Sequence, residues 1–134
     1  PVLISAVETK TDPKKFAEVD ESIAWTATFP SGVVAYCAAS FNTALASRFR
    51  AQTERGWFGL DPAFNYGGIK GERSDGKPLQ FSQVDQFASE LDDFARCILE
   101  NEPTKVSGEE GLQDVKLLTA IYESARTGKA MRVG

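Results

Sequence analysis

The side chains that enzymes most often use for nucleophilic or metal chemistry are scarce in this chain. Its 134 residues include no histidine, which excludes a Ser-His-Asp or Cys-His nucleophile system and a histidine-ligated metal within the chain. The two cysteines, Cys37 and Cys97, lie far apart in apolar segments and form no metal or redox motif. We interpret them as buried thiols, which favours a cytoplasmic location, although an unseen leader would allow the periplasm.

The sequence also gives little support for a phosphate-binding loop or a nucleic-acid-binding surface. The segment Gly67-Gly68-Ile69-Lys70-Gly71 lacks the G-x-G-x-x-G spacing of a dinucleotide loop, and no helix is predicted after it, so we interpret it as a turn or bulge. Arg48 and Arg50, followed by Arg55, form the main basic cluster. The first two share a strand face that could either meet an anion or be solvated. The net charge of −4 argues against a nucleic-acid partner.

The carboxylates do not supply the missing chemistry. Aspartate and glutamate fall at predicted caps, turns and solvent faces, and none forms an evident acid–base pair. No apolar run approaches the roughly 18 to 20 residues of a membrane-spanning helix, so no membrane partner is expected. The residues alone therefore predict a globular domain over 1–134 without a self-contained active site.

The elements that must position any site begin with strands. Runs over 2–9, 23–29 and 33–42 are typical of strands, and further strands are predicted at 48–53, 57–60 and 65–72. Pro30-Ser31-Gly32 predicts a three-residue hairpin loop between the second and third runs. That loop sets the register: Phe29 with Val33, Trp25 with Cys37 and Ile23 with Ala39.

The hairpin has one face of unusual composition. It carries small or uncharged residues: Ala24, Thr26, Thr28, Val34, Tyr36 and Ala38. This is neither a clear core nor a charged solvent face. A solvated surface and a surface covered by another subunit both remain open.

Two amphipathic helices follow the strands. The first is predicted to start at a capping box of Ser82 and Asp85 and to end near Asn101. Its apolar stripe is Val84, Phe87, Leu91, Phe94 and Ile98. The second starts at a box of Ser107 and Glu110 and stops at Gly128. Its stripe is Leu112, Val115, Leu118, Tyr122 and Ala125, flanked by Leu117 and Ile121.

This order of elements predicts the α+β class, with an open, mostly antiparallel sheet and both helices packed on one face. The two stripes would supply the apolar cover for the sheet. Each large side chain buried in this way contributes roughly 1.5–3 kcal/mol.

The closing segment 106–129 carries a specific signature: an acid- and glycine-rich start, the core Asp114-Val115 through Ala120-Ile121-Tyr122, and the exit Ala125-Arg126-Thr127-Gly128-Lys129. It resembles the last helix of the Gfo/Idh/MocA oxidoreductases. The run of Phe87, Leu91, Asp92, Phe94 and Ala95 is similar to an earlier helix of that family. Segments 29–33, 47–49 and 60–63 are most similar to its glucose-fructose oxidoreductase branch.

The resemblance implies a C-terminal domain that completes a sugar pocket and mediates homo-oligomerisation through an open sheet. Its partner would be an N-terminal Rossmann domain that holds NAD or NADP. The family's catalytic lysine belongs to an E-K-P motif that this chain lacks, so the catalytic residues are expected before Pro1. We therefore assign no catalytic, cofactor or metal residue here, and name Asn42 and Tyr66, polar groups beside turns, as candidate substrate-binding residues.

A second hypothesis belongs to a different class of protein. The chain could be a freestanding interaction or small-ligand-binding domain that shares the fold and has no redox activity. The coding sequence before Pro1 separates the two, because a β-α-β unit with G-x-G-x-x-G and a later E-K-P would favour the oxidoreductase. The chain starts without an initiator Met, and we expect it to be part of a longer protein.

Overall fold

The structure is a computed structural model that describes residues 1–44, 46–82 and 84–133. These residues form β1 (Leu3–Thr9), β2 (Ser22–Thr28), β3 (Val34–Ser40), β4 (Phe49–Thr53), β5 (Gly56–Leu60), β6 (Gly71–Arg73), β7 (Pro78–Leu79), α1 (Gln86–Glu100), α2 (Gly108–Thr127) and β8 (Met131–Arg132). Two compact units contain them. The first unit comprises residues 1–44 and 105–133, and the second comprises residues 46–82 and 84–104.

The first unit is built on an antiparallel sheet in the order β3-β2-β1-β8. β1 pairs with β2 on one side over seven residues. On its other side it pairs with β8 over two residues, with Leu3 opposite Arg132 and Ile4 opposite Met131. β8 was not predicted from the sequence, because a two-residue strand has no periodicity to recognise.

The β2–β3 hairpin confirms the predicted turn. The Phe29 amide donates to the Val33 carbonyl at 2.9 Å, and the Gly32 amide donates to the Phe29 carbonyl at 2.9 Å. Gly32 has φ 85°, a conformation that favours glycine. The register matches the predicted pairs, Trp25 with Cys37 and Ile23 with Ala39. Local turn chemistry and residue alternation were therefore sufficient to place these two strands.

The core of the first unit lies between this sheet and α2. Its buried members are Ile4, Ile23, Ala27, Ala120 and Ile121. Partly buried side chains surround them, including Trp25, Leu117 and Met131. One side of the sheet is thus covered by the helix, and burial of this apolar surface is what holds α2 in place.

A buried serine joins the helix to the sheet. Ser124 is 1% exposed. Its hydroxyl accepts the Ala6 amide at 2.9 Å and donates to the Lys129 carbonyl at 2.7 Å. Ala6 lies beyond the two residues of β1 that pair with β8, so the serine satisfies a strand amide that the sheet leaves open.

The buried stripe of α2 differs from the predicted one. Ala120, Ile121 and Ser124 are buried, together with part of Leu117 and Ala125. The larger side chains of the predicted stripe are exposed: Leu112 56%, Val115 57%, Leu118 52% and Tyr122 49%. The helix has two adjacent apolar stripes, and the sheet covers the one that contains Leu117, Ala120 and Ile121.

The ends of α2 are as predicted. The Ser107 hydroxyl accepts the Glu110 amide at the N-terminus. At the C-terminus Gly128 takes the left-handed conformation with φ 66°, and its amide donates to the Ser124 carbonyl at 2.9 Å.

The second unit holds an antiparallel sheet in the order β4-β5-β6-β7. The predicted turn at Asp75-Gly76 is present, with Gly76 at φ 77°. The predicted strand over 65–72 is wrong for most of its length, because β6 begins only at Gly71. The segment before Gly71, which was predicted as a turn or bulge, is irregular, with Gly68 at φ 70°, and such a conformation cannot continue a strand.

The first helix, α1, has the predicted C-terminus but a different start. Asp85 is the N-cap, and its carboxylate accepts the amides of Phe87 and Ala88 at 3.0 Å. The prediction of Ser82 as the cap is wrong, because the carboxylate of Asp85 lies next to the first free amides. Asn101 ends the helix in the left-handed conformation with φ 54°.

The apolar stripe of α1 is not buried among the described residues. No residue of the helix is buried. The stripe side chains are between 56% and 69% exposed: Val84, Phe87, Leu91, Phe94 and Ile98. The amphipathic pattern therefore predicted the helix correctly. The predicted burial of its apolar face is not observed among the described residues.

The α+β class with antiparallel sheets and two helices is confirmed, with the strands divided between two sheets. Of the two helices, α2 packs on β1 and β8 of the first sheet. Across 1–44, 46–82 and 84–133, neither helix is long and apolar enough to cross a membrane.

Candidate functional site

A concave surface of the second unit lies on its sheet. Arg50 is opposite Gly59, Gln52 is opposite Trp57, and Gly59 is opposite Glu72. Because side chains of paired residues point to the same face, Arg50, Trp57 and Glu72 share one face. A cleft of about 930 Å³ lies here. It falls within the roughly 300–1,000 Å³ typical of small-molecule sites.

Two arginines of this cleft have defined partners. Arg48 donates through Nε to Asp61 Oδ2 at 2.8 Å, and a terminal nitrogen of its guanidinium lies 2.8 Å from the same oxygen. The guanidinium of Arg50 lies 3.8 Å from the ring centroid of Trp57, within the range of a cation–π contact. Arg48 precedes β4 by one residue, and both arginines line the cleft.

Three further polar side chains belong to the cleft. Lys70, Glu72 and Gln80 line it. Among the residues that the structure describes, none lies within hydrogen-bonding or ion-pairing distance of these three side chains. They are donors and acceptors available to a ligand.

Gly59 lines the cleft at a position where only glycine fits without a clash. It is buried in β5, and a Cβ there would lie 2.8 Å from the Phe49 carbonyl oxygen. Any larger residue would have to displace backbone.

A buried carboxylate organises the loops of the first unit. Glu21 is 3% exposed. Its oxygens accept the Thr11 hydroxyl at 2.7 Å, the Thr11 amide at 2.5 Å, the Asp12 amide at 3.0 Å and Nδ2 of Asn42 at 3.0 Å. Hydrogen bonds from the Thr11 side chain, Asp12 and Asn42 lower the pKa of Glu21 to about 2, against the opposing effect of burial.

The sequence analysis missed Glu21. It directly precedes β2, and its polar partners in the sequence are no different from ordinary loop residues. The signal that could have found it is the Thr11-Asp12 turn ahead of an acidic residue at a strand start. Bringing Asn42 to the same carboxylate requires the β2–β3 hairpin.

The two predicted substrate-binding residues belong to different units. Asn42 lies in the first unit just after β3, where its side chain is held by Glu21. Tyr66 lies in the second unit, is 81% exposed, and its ring centroid is 5.3 Å from that of Phe87. Both are exposed polar residues, and their role in binding stays a prediction.

The unusual hairpin face is exposed and extends onto β1. The register places these residues on the side of the first sheet opposite α2: Leu3, Ser5, Val7, Ala24, Thr26, Thr28, Val34, Tyr36 and Ala38. We call this surface the open face. All nine residues are uncharged, and Tyr36 and Val7 are 82% and 58% exposed.

The cysteines are half-buried and free, which corrects the prediction of two buried thiols. Burial raises the pKa of the Cys37 thiol, so it is a poor nucleophile near neutral pH. In the part of the chain that the structure describes, no group of three or more potential ligands is placed to hold a metal ion.

Comparison with known proteins decides the family. Residues 2–133 match the model of the Gfo/Idh/MocA oxidoreductase family, C-terminal alpha/beta domain. The chain belongs to this family. The resemblance seen in the closing helix is thereby confirmed over nearly the whole chain.

Individual relatives agree with this assignment. The chain is 30% identical over 131 residues to D-xylose 1-dehydrogenase (NADP(+)) of Haloarcula marismortui, and 31% identical over 121 residues to D-xylose 1-dehydrogenase (NADP(+)) 2 of Haloferax volcanii. It superposes on the crystal structure of aldose-aldose oxidoreductase from Caulobacter crescentus complexed with glycerol with a TM-score of 0.88 and 33% identity.

This Gfo/Idh/MocA domain spans only part of those proteins. The alignments cover 90% and 86% of the chain, but 35% and 37% of the two xylose dehydrogenases. The structural match covers 98% of the chain and 41% of the aldose-aldose oxidoreductase.

Proposed function

We propose that the chain is the substrate-side and oligomerisation domain of an NAD(P)-dependent sugar or polyol oxidoreductase, and that it is inactive alone. The observation that carries the proposal is the family match over 2–133. Identities of 30–33% to proteins named for D-xylose and aldose favour a sugar substrate.

The nicotinamide cofactor would bind outside this chain, in an N-terminal Rossmann domain. The glycine-rich segment 67–71 leads into β6 and not into a helix N-terminus, so it does not fit the pyrophosphate of a dinucleotide. The apolar stripes of α1 and α2 are exposed and offer surface for such a partner domain. Within the described residues, the chain's own part is to bind and orient the sugar.

Asn42 and Tyr66 are the residues we propose for contact with the sugar. The amide of Asn42 has one donor engaged with Glu21, which fixes its orientation and leaves its carbonyl oxygen available to a hydroxyl. Tyr66 exposes its phenol above Phe87. We expect Asn42→Ala and Tyr66→Phe to raise KM for the sugar more than they lower kcat in the full-length protein.

The activity test uses the protein encoded by the complete reading frame that contains this chain. We expect oxidation of D-xylose or another aldose with formation of NADPH or NADH, measured by absorbance at the nicotinamide band, and no activity from residues 1–134 alone. A start codon directly before Pro1, with no dinucleotide-binding domain encoded in the same reading frame, would contradict the proposal and favour the freestanding binding domain.

Oligomerisation is proposed to use the open face. Uncharged, exposed side chains spanning three strands are suited to a dry interface between subunits. Thr26 lies at its centre, between Ser5 and Tyr36. Thr26→Lys should weaken association, because a charge would be left unpaired at that interface.

Light scattering measures this effect directly. We expect a lower mass for Thr26→Lys and an unchanged oligomer for Thr43→Lys, which makes the same substitution in the exposed loop after β3. An unchanged mass for both variants, or a monomeric parent protein, would rule out the open face as the interface.

A further inference from the structure

The cleft of the second unit has a charge balance that differs from the rest of the chain. Its lining includes three cations, Arg48, Arg50 and Lys70, and two carboxylates, Asp61 and Glu72. The chain as a whole carries a net charge of −4. A locally positive concavity on an acidic chain attracts anions selectively.

The contacts among the side chains of the cleft further limit the kind of ligand that it can bind. Arg48 and Asp61 neutralise each other at 2.8 Å. The guanidinium carbon of Arg50 lies 3.8 Å from the centroid of the Trp57 ring, and a guanidinium in such a contact can still donate its N–H groups to a planar acceptor such as a carboxylate. Lys70 adds a second cation, while Glu72 can accept hydrogen bonds from hydroxyl groups.

We propose that this cleft binds a sugar acid, a polyhydroxylated small molecule with one carboxylate, and does so without any cofactor. The carboxylate binds at Arg50 and Lys70. The hydroxyl groups donate to Glu72 and accept from Gln80. This site is formed by residues other than Asn42 and Tyr66, and it does not depend on the proposed oxidoreductase activity.

The test is titration of the chain with D-xylonate, D-xylose and inorganic phosphate, followed by calorimetry and by the two indole N–H signals in a ¹H–¹⁵N spectrum. We expect D-xylonate to bind saturably, with a shift of the Trp57 signal and none of Trp25, which lies in the first unit. D-xylose and phosphate should each bind at least about tenfold more weakly than D-xylonate. D-xylose lacks the carboxylate, and phosphate lacks the polyhydroxylated chain. Trp57→Phe assigns the two signals.

Charge-removing variants identify the residues. Arg50→Gln and Lys70→Gln should each weaken D-xylonate binding about tenfold. Lys77→Gln removes a cation from the same unit outside the cleft, near Asp75, and should leave binding unchanged. All three side chains are exposed, so the variants are expected to fold.

Several results would overturn the proposal. D-xylose binding as tightly as D-xylonate would show a neutral sugar site, and phosphate binding as tightly would show an unspecific anion site. If Lys77→Gln and Lys70→Gln weakened D-xylonate binding equally, binding would come from long-range electrostatic attraction and not from contacts within the cleft. The absence of any binding by D-xylonate would also refute it, whatever activity the full-length protein has.

Discussion

The two units of the chain differ in where their apolar side chains lie. In the first unit, Ile4, Ile23 and Ile121 are at most 6% exposed between a sheet and a helix. Among residues 46–82 and 84–104 of the second unit, the buried apolar residue is Ala63. Its aromatic residues instead pair at the surface, as Phe49 and Phe58 do with ring centroids 6.4 Å apart. The first unit thus has a buried apolar core, whereas nearly all the apolar side chains described in the second unit are at least partly exposed.

This difference separates stability from recognition. The first unit has the packing that makes a cooperative core, whereas the second presents a polar cleft and an uncovered helix. Elements with few buried apolar contacts open more easily than a packed core. We therefore expect the first unit to be the more stable part of the chain, and four substitutions test that comparison.

The largest effect is expected from Ile4→Ala. Ile4 is 1% exposed in the core, so its truncation should lower the free energy of unfolding by about 2–5 kcal/mol. The control is Val7→Ala, on the same strand but 58% exposed on the open face, which should cost much less. Chemical denaturation followed by fluorescence and circular dichroism measures both, and equal losses would refute the difference in packing.

The next effect concerns the pH dependence of the first unit. The hydrogen bonds that lower the pKa of Glu21 to about 2 in the folded chain are absent after unfolding, where an ordinary value near 4.5 applies. A depressed folded pKa contributes stability above the unfolded value, and that stability is lost as the pH falls from about 4.5 to about 2. Glu21→Gln should flatten this part of the stability curve.

Thermal denaturation at several pH values measures the slope. Glu18→Gln is the matched control, because Glu18 is exposed in the same loop. A parent protein whose stability is constant between pH 4.5 and 2 would contradict the role of Glu21.

The smallest effects are expected at the two helix caps. Ser107→Ala and Asp85→Ala each remove a side chain that accepts amides in the first turn, at a typical cost of about 1 kcal/mol. Ser107→Ala should lower the global stability, since α2 is part of the core. Asp85→Ala should mainly increase amide hydrogen exchange in α1. A global loss from Asp85→Ala as large as that from Ser107→Ala would argue against the difference between the units.

Much of the local structure could be predicted from the sequence. The hairpin at 30–32, the turn at Asp75-Gly76 and the C-terminal stop at Gly128 depend on residues that adopt particular backbone conformations. The candidate site was much less predictable. Arg48 and Arg50 were recognised as neighbours, but their partners Asp61 and Trp57 are brought to them by the pairing of β4 with β5.

By itself, the sequence determined the α+β class, the β2–β3 register and the family, because turn residues, alternation and the closing helix signature are local properties of the chain. Only the tertiary structure decided which stripe of α2 is buried and that β8 pairs with β1. It also decided that Glu21 accepts hydrogen bonds from Thr11, Asp12 and Asn42. These outcomes depend on contacts between distant segments. Close approach of a helix to a sheet, and satisfaction of a buried carboxylate, are conditions that no local pattern encodes.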